Sequence, residues 1–265
     1  MQPFSILIPT WKNLAFLDLA YMSLVKNSKV EHEIIIYFNE FDEKCEHWIK
    51  GKNVKYVFSE NNIGICKAVN LAALKATKNY LCYFNDDMYA LPGWDSALEP
   101  FLNISDKLWL SGTAIERNKA AKCYIGFQDY GDSPETFKEQ DLLNDFMFLK
   151  RPYNIVSTWP PTIIPKSNWE AIGGLDENYF PGFGSDPDLA MRMYKYGCRN
   201  FIGVGTSLVY HFSKGTTSRF AGRIDSDSRT YFKKKWGVSR SHFLKRMICR
   251  DKVITPDLIK KNNKN

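Results

Sequence analysis

An α/β fold on a mostly parallel central sheet flanked by helices is what this chain predicts, and three observations carry the expectation. Apolar, strand-like runs alternate with helix-length segments through the first ninety or so residues. A hydrophobic content of 44% with 15% aromatic residues supports a large core in a chain of 265 residues. Thr10, Asn39, Ser59 and Asp86 each fall at or just past the end of a strand-like run. Ligands of parallel sheets gather at the carboxyl ends of the strands, so these four residues are expected to share one crevice.

The elements follow in order. SILIPT (5–10) reads as a strand, and the segment at 13–27 as a helix with Leu14, Leu17, Tyr21 and Leu24 at helical spacing. EIIIYF (33–38) is a strand, DEKCEHWIK (42–50) a short helix, VKYVFS (54–59) a strand and GICKAVNLAALKAT (64–77) an Ala/Leu-rich helix. YLCYF (80–84) is a fourth strand that delivers the chain to Asp86. Beyond Pro92 the pattern predicts a helix over 93–102 and a strand over 107–115, then a loop-rich polar stretch from Glu116 to Arg151 with weak periodicity. The segment from Ser157 to Gly205 reads as a strand, a short helix, a Gly-rich turn, a helix from Pro187 to Tyr196 and a further strand. No fixed-period repeat interrupts this order, so one fused domain is expected.

No apolar run approaches the roughly 18 residues of a membrane span, and the first apolar segment is too short for a secretory core, so a soluble, cytoplasmic protein is expected. The six cysteines form no C-x-x-C pair and several lie in apolar runs, which fits reduced thiols. Charge is uneven. From Lys214 onward there are 15 Lys+Arg against 4 Asp+Glu, a net of +11, whereas the preceding residues are net negative. The tail also carries a basic amphipathic pattern: Phe243, Leu244, Met247 and Ile248 share one helical face, and YFKKKW (231–236) mixes lysines with aromatics. Such a tail suits an anionic membrane surface, in keeping with a peripheral association, or a DNA backbone; alternatively its apolar face packs on the rest of the chain.

The stretch YLCYFNDDMYALPGW (80–94) sets two adjacent aspartates at the mouth of an apolar strand. Like charges at such a place call for a positive partner, and a hard divalent cation is the first candidate. A polar turn ahead of Pro92-Gly93 is the plainer reading of the same residues. Asp186-Pro187 likewise reads either as a catalytic carboxylate or as a helix cap followed by proline, with Asp188 suiting the helix dipole.

Taken together, SILIPTW, ENNIGICKAVNLAALKAT, FNDDM, IIPKSNWEAIGGLDENYF, GFGSDPDLAMRMYKYG, VYHF and YFKKKWG resemble, in this order, the motifs of GT-A (Rossmann-like) glycosyltransferases of family 2, over Ser5 to Gly237. The resemblance implies a metal-dependent, inverting transfer of a sugar from a nucleoside diphosphate sugar, with Mn2+ or Mg2+ as cofactor. It implies that Thr10, Asn39, Glu40, Asn62, Lys67 and Asp86 contact the donor and that Asp87 and His211 hold the metal. Asp186 would be the catalytic base, with Asp188 in reserve, and Trp159 and Asp176 would wall the acceptor site. Lys214, Thr216, Thr217 and Arg219 would close over the diphosphate. The expected division is a donor half at 1–110, an acceptor half at 111–212, and a basic lid and helical tail at 213–265. A saccharide or glycolipid is the expected acceptor; hydroxylated bases of DNA, or a non-catalytic nucleotide-sugar or nucleic-acid binding module, are the alternatives. The family's Asp-rich segment after the second strand is replaced here by YFNEFDE, and its Glu-Asp pair by Ser185-Asp186.

Overall fold

The computed structural model describes residues 1–118, 122–213 and 223–262. Its centre is β1 (Phe4–Thr10), which pairs in parallel with β2 (Glu33–Asn39) on one side and β4 (Tyr80–Tyr83) on the other; β3 (Lys55–Ser59) extends β2, also in parallel. The crossovers are α1 (Leu14–Asn27), α2 (Glu43–Ile49) and α3 (Ile65–Ala73), as the sequence predicts. All seven residues of β1 are buried, because helices cover both of its faces. Its pleat divides them: Ile6 and Ile8 join one core with Leu17, Leu24, Phe38 and Trp94, while Leu7 joins a second with Tyr37, Val69 and Leu81.

Beyond β4 the sheet becomes mixed. β5 (Met88–Ala90) follows the paired aspartates, and a tight 3₁₀ turn at Ser96–Phe101 replaces the predicted helix, with Asp95 capping its start and Pro100 inside it. β6 (Leu108–Glu116) carries β7 (Tyr124–Gly126) in parallel at its end. α4 (Glu139–Leu149) and β8 (Asn154–Val156) come next. β9 (Thr162–Pro165) runs antiparallel between β4 and β6, and leads into α5 (Lys166–Ile172) and α6 (Ser185–Tyr196). β10 (Asn200–His211), the longest strand, pairs in parallel with β6 and antiparallel with β5 and β8. The loop expected over Glu116 to Arg151 therefore holds a strand and a helix. The helix lacks periodicity because Leu142 is its single fully buried residue and Phe148 faces solvent. β5, β7 and β8 have three residues each, too few for a repeat to register.

The basic tail folds back on the domain. α7 (Arg223–Trp236), α8 (Arg240–His242) and a π turn at Phe243–Met247 place Phe232, Phe243, Leu244 and Ile248 in the second core, with Trp109, Phe201 and Met193. Phe243 meets the rings of Tyr194 and Phe232 at 5.9 and 6.2 Å. β11 (Val253–Ile254) then extends the sheet beyond β8, and α9 (Pro256–Asn262) ends the described chain. The apolar face that the sequence offers to a membrane is thus occupied by the domain itself. Among the described residues, no helix is long and apolar enough to cross a membrane.

If this docking is part of the core, Phe243→Ala lowers the free energy of unfolding by about 3–5 kcal/mol in urea titrations; a loss below about 1 kcal/mol would mean that the tail is not integral to it.

Candidate functional site

The site begins where β4 ends. Asp86 and Asp87 are only 5% and 1% exposed, so the repulsion and desolvation anticipated from the sequence are real. Thr10, at the end of β1, donates its hydroxyl to Asp86 Oδ2 at 2.7 Å. β5 then turns back along β10, setting Met88 opposite His211, and the Phe212 amide donates to the Asp87 carbonyl at 3.1 Å. This pairing brings His211 Nε2 to 3.2 Å from Asp87 Oδ1. On the other side, Glu116 at the end of β6 lies 2.8 Å from His211 Nδ1 and accepts the Ser213 hydroxyl at 2.7 Å. Burial alone would lower the His211 pKa, but the carboxylates of Asp87 and Glu116 outweigh it and raise it to about 10. The positive partner demanded by the aspartates is, in this arrangement, an imidazolium.

Glu116 was missed in the sequence, where it was taken as the first residue of a loop. The available signal was its position: like Asp86, it is an acid that ends an apolar strand.

These groups floor a cleft of about 950 Å3. Asp186, in the first turn of α6, stands on its wall, and Gly184 just ahead adopts φ 85° to turn the chain into the helix. A side chain at Gly184 would also press on Tyr179 and Ser228 at 3.1 Å. Burial pushes the Asp186 carboxyl up to about 7, against the opposing pull of Arg240. Trp159 lines the cleft as well, with the Tyr124 ring 6.0 Å away and the Arg250 guanidinium 5.7 Å from its centroid.

Other expected residues lie elsewhere. Asp188 is two positions past Asp186, so it projects from the opposite side of α6. It is fully buried, held by Lys235 Nζ at 2.8 Å, Arg192 Nε at 3.0 Å and Trp236 Nε1 at 2.7 Å. Asp176 shares that Lys235 at 2.6 Å and accepts from the Tyr231 hydroxyl at 3.1 Å. Burial would raise its pKa, but the ammonium of Lys235 and the Asn178 amides hold it at about 2. Neither aspartate lines the cleft, which corrects the reserve-base role of Asp188 and the acceptor role of Asp176: both anchor α7 to α6.

Of the residues expected to contact a donor, Asn39, Glu40, Asn62 and Lys67 do not line the cleft. Asn39 Oδ1 accepts from the Ile63 amide at 3.0 Å and Asn62 Oδ1 from the Gly64 amide at 2.9 Å, fastening the loop before α3 to the end of β2. Glu40, at φ 63°, accepts from Trp11 Nε1 at 2.8 Å and pairs with Lys12 at 2.6 Å. Lys67 is exposed on α3 and is distant from these contacts in kind: it makes no hydrogen bond or ion pair among the described residues. Lys214, Thr216, Thr217 and Arg219 lie outside the described residues.

Among the described residues, no three His, Cys, Asp or Glu side chains form a cage that could hold a metal unaided. Asp87 and His211, paired at 3.2 Å in the cleft lining, are nonetheless the donor types, a carboxylate oxygen and an imidazole nitrogen, that suit a divalent cation taking its remaining ligands from a bound molecule.

The fold is similar to that of GT-A glycosyltransferases. Residues 5–123 match the family described as Glycosyl transferase family 2. A search of curated proteins found no match. Similar solved structures include GalNAc-T7 with UDP, GalNAc and Mn2+ (TM-score 0.66, 13% identity, 92% of this chain and 50% of that one). A mannosyltransferase, PcManGT from Pyrobaculum calidifontis, with GDP-Man and Mn2+, is also similar (TM-score 0.56, 11% identity, 82% and 59%). So is S. aureus TarS 1-349 (TM-score 0.52, 12% identity, 93% and 75%). The chain spans about half the length of the GalNAc-T7 chain.

Removing the shared cation tests the anchor. Lys235→Met strands two buried carboxylates and is expected to cost about 3–5 kcal/mol of stability by chemical denaturation; an unchanged midpoint would show that the ion pairs do not hold α7.

Proposed function

We propose that this protein is a metal-dependent, inverting glycosyltransferase that moves one sugar from a nucleoside diphosphate sugar to a hydroxyl of a saccharide or glycolipid. The observation that carries this reading is the convergence, in one cleft, of the Asp87–His211 pair with a second carboxyl, Asp186, whose pKa of about 7 suits a general base. The nucleotide sugars and Mn2+ in the similar structures support the donor half of the reading. The family match to residues 5–123 supports donor binding by the N-terminal half, 1–110 in this reading, and the acceptor functions are assigned to 111–212. The described part of the tail, 223–262, lines the cleft through residues such as Lys233 and Lys245, which supports the reading of 213–265 as a lid and helical tail.

In this mechanism Asp87 and His211 would hold Mn2+ or Mg2+, which supplies positive charge to the departing diphosphate. Glu116 orients the His211 ring through Nδ1, and Thr10 holds Asp86 in place. Asp186 takes the proton of the acceptor hydroxyl as its oxygen bonds to the anomeric carbon and the bond to the diphosphate breaks, so the configuration inverts. Trp159 offers a flat apolar face on which a sugar ring can rest.

Calorimetry with UDP, GDP, CDP and dTDP, with and without manganese, is expected to find one nucleotide that binds only with metal, and Asp87→Ala should weaken it by about 100-fold or more; binding of none would end the transferase reading. Asp186→Asn should cut the rate of donor turnover by about 10²–10⁴-fold while leaving nucleotide binding intact, whereas a binding module would be indifferent to it. The pH dependence has a definite sign. Because the folded pKa lies above the ordinary 3.8, the base form is lost as pH falls through about 7, so kcat/KM should drop on that side. The same shift means that the stability associated with this group is full below 3.8 and is lost as pH rises through about 7, and Asp186→Asn should remove that loss.

A further inference from the structure

The part of the cleft lined by the tail is cationic, and its cations are of two kinds. Arg229 and Arg240 are already engaged, both by Asp225, at 2.7 and 2.9 Å. Lys233 of α7 and Lys245 of the π turn also line the cleft, yet their side chains make no ion pair or hydrogen bond among the described residues. Arg250 completes this set. Its Nε is shielded from solvent with no hydrogen-bond partner, its nearest carboxylate, Asp251, lying 3.8 Å away. Beside it, Trp159 Nε1 is a second shielded donor without an acceptor. Buried donors left unmatched are uncommon in folded proteins, and two of them on one cleft wall ask for an acceptor oxygen from a ligand.

We infer that this wall binds an anionic acceptor, a saccharide carrying phosphate or carboxylate groups, whose charged oxygens are taken by Lys233, Lys245 and Arg250 while Trp159 carries a sugar ring. The inference rests on the proposed transferase reading and narrows its acceptor. The opposite charges of the two walls support it. The floor, with Asp86, Asp87 and Glu116, repels an anion unless a cation accompanies it, so a negatively charged acceptor is directed to the tail side and its neutral hydroxyl to Asp186. The concave site, about 950 Å3, suits a few sugar units rather than the outer surface of a nucleic-acid duplex. Phosphate and carboxylate share the required chemistry: both accept from ammonium and guanidinium groups.

The test uses the full chain saturated with manganese and whichever nucleotide it binds. Neutral maltotetraose, tetragalacturonate, a phosphorylated maltotetraose and an oligothymidylate of matched charge are titrated by calorimetry. The charged saccharides are expected to bind about tenfold or more tightly than maltotetraose, and a Lys233→Gln/Lys245→Gln variant to lose about that factor with its nucleotide affinity unchanged. Both lysines are exposed, so the variant should fold; Arg250→Lys, which keeps the charge but removes the Nε donor, should lose part of the preference. Tighter binding of the phosphorylated sugar than of the galacturonate, or the reverse, identifies the anion. Equal affinity for neutral and charged saccharides overturns the inference. So does a fall in nucleotide affinity in the lysine variant, which would give these cations to the donor diphosphate, and so does tightest binding by the oligothymidylate. If the parent binds no nucleotide but still prefers the charged saccharides, the transferase reading fails while the anion site stands.

Discussion

The electrostatic constraint on which this structure turns is the placement of two buried carboxylates, Asp87 and Glu116, around one imidazole. Asp87 lies four residues past the end of β4 and Glu116 ends β6, both are buried, and neither could remain charged there alone. His211 lies between them because β5 doubles back on β10 directly after Asp87, and because β6 and β10 run in parallel to end side by side. Strand pairing thus sets the distances within the site to hydrogen-bond reach, and little rests on loop conformation.

The same logic recurs on the other side of α6. Asp176 and Asp188 are compensated by Lys235, Arg192 and the Tyr231 and Trp236 donors. This second cluster is remote from chemistry, but it fixes α7 relative to α6 and so determines which cations face Asp186. One helix therefore presents, on its cleft side, a carboxyl that burial pushes up to about 7 and, on its core side, one that is fully paired. Two residues of separation, a half-turn of helix, divide a proposed catalytic group from a structural one.

The basic tail is both core and wall. Its aromatic and aliphatic residues complete the second hydrophobic core, and its lysines and arginines close the cleft. That dual use explains a charge distribution which, as composition, suggested a membrane or nucleic-acid partner. Five of its described cations, Arg229, Lys233, Arg240, Lys245 and Arg250, line the same cleft as Asp86, Asp87 and Glu116.

Much of the N-terminal fold was determined by sequence alone, since β1 to β4 and α1 to α3 are long enough for their periodicity to register and strand-end polar residues are a local feature. Asp86 and Asp87 were legible for the same reason, as a like-charged pair after an apolar run. His211 and Asp186 were reached through motif resemblance, and the tertiary structure put both on the one cleft. Only the tertiary structure separated Asp186 from Asp188, because acid-rich spacing in sequence does not say which side of a helix meets the cleft. Only it recruited Glu116, whose partner is 95 residues away. It also decided the fate of the tail: an amphipathic pattern specifies that a face will be buried, while the surface that buries it is chosen by long-range packing.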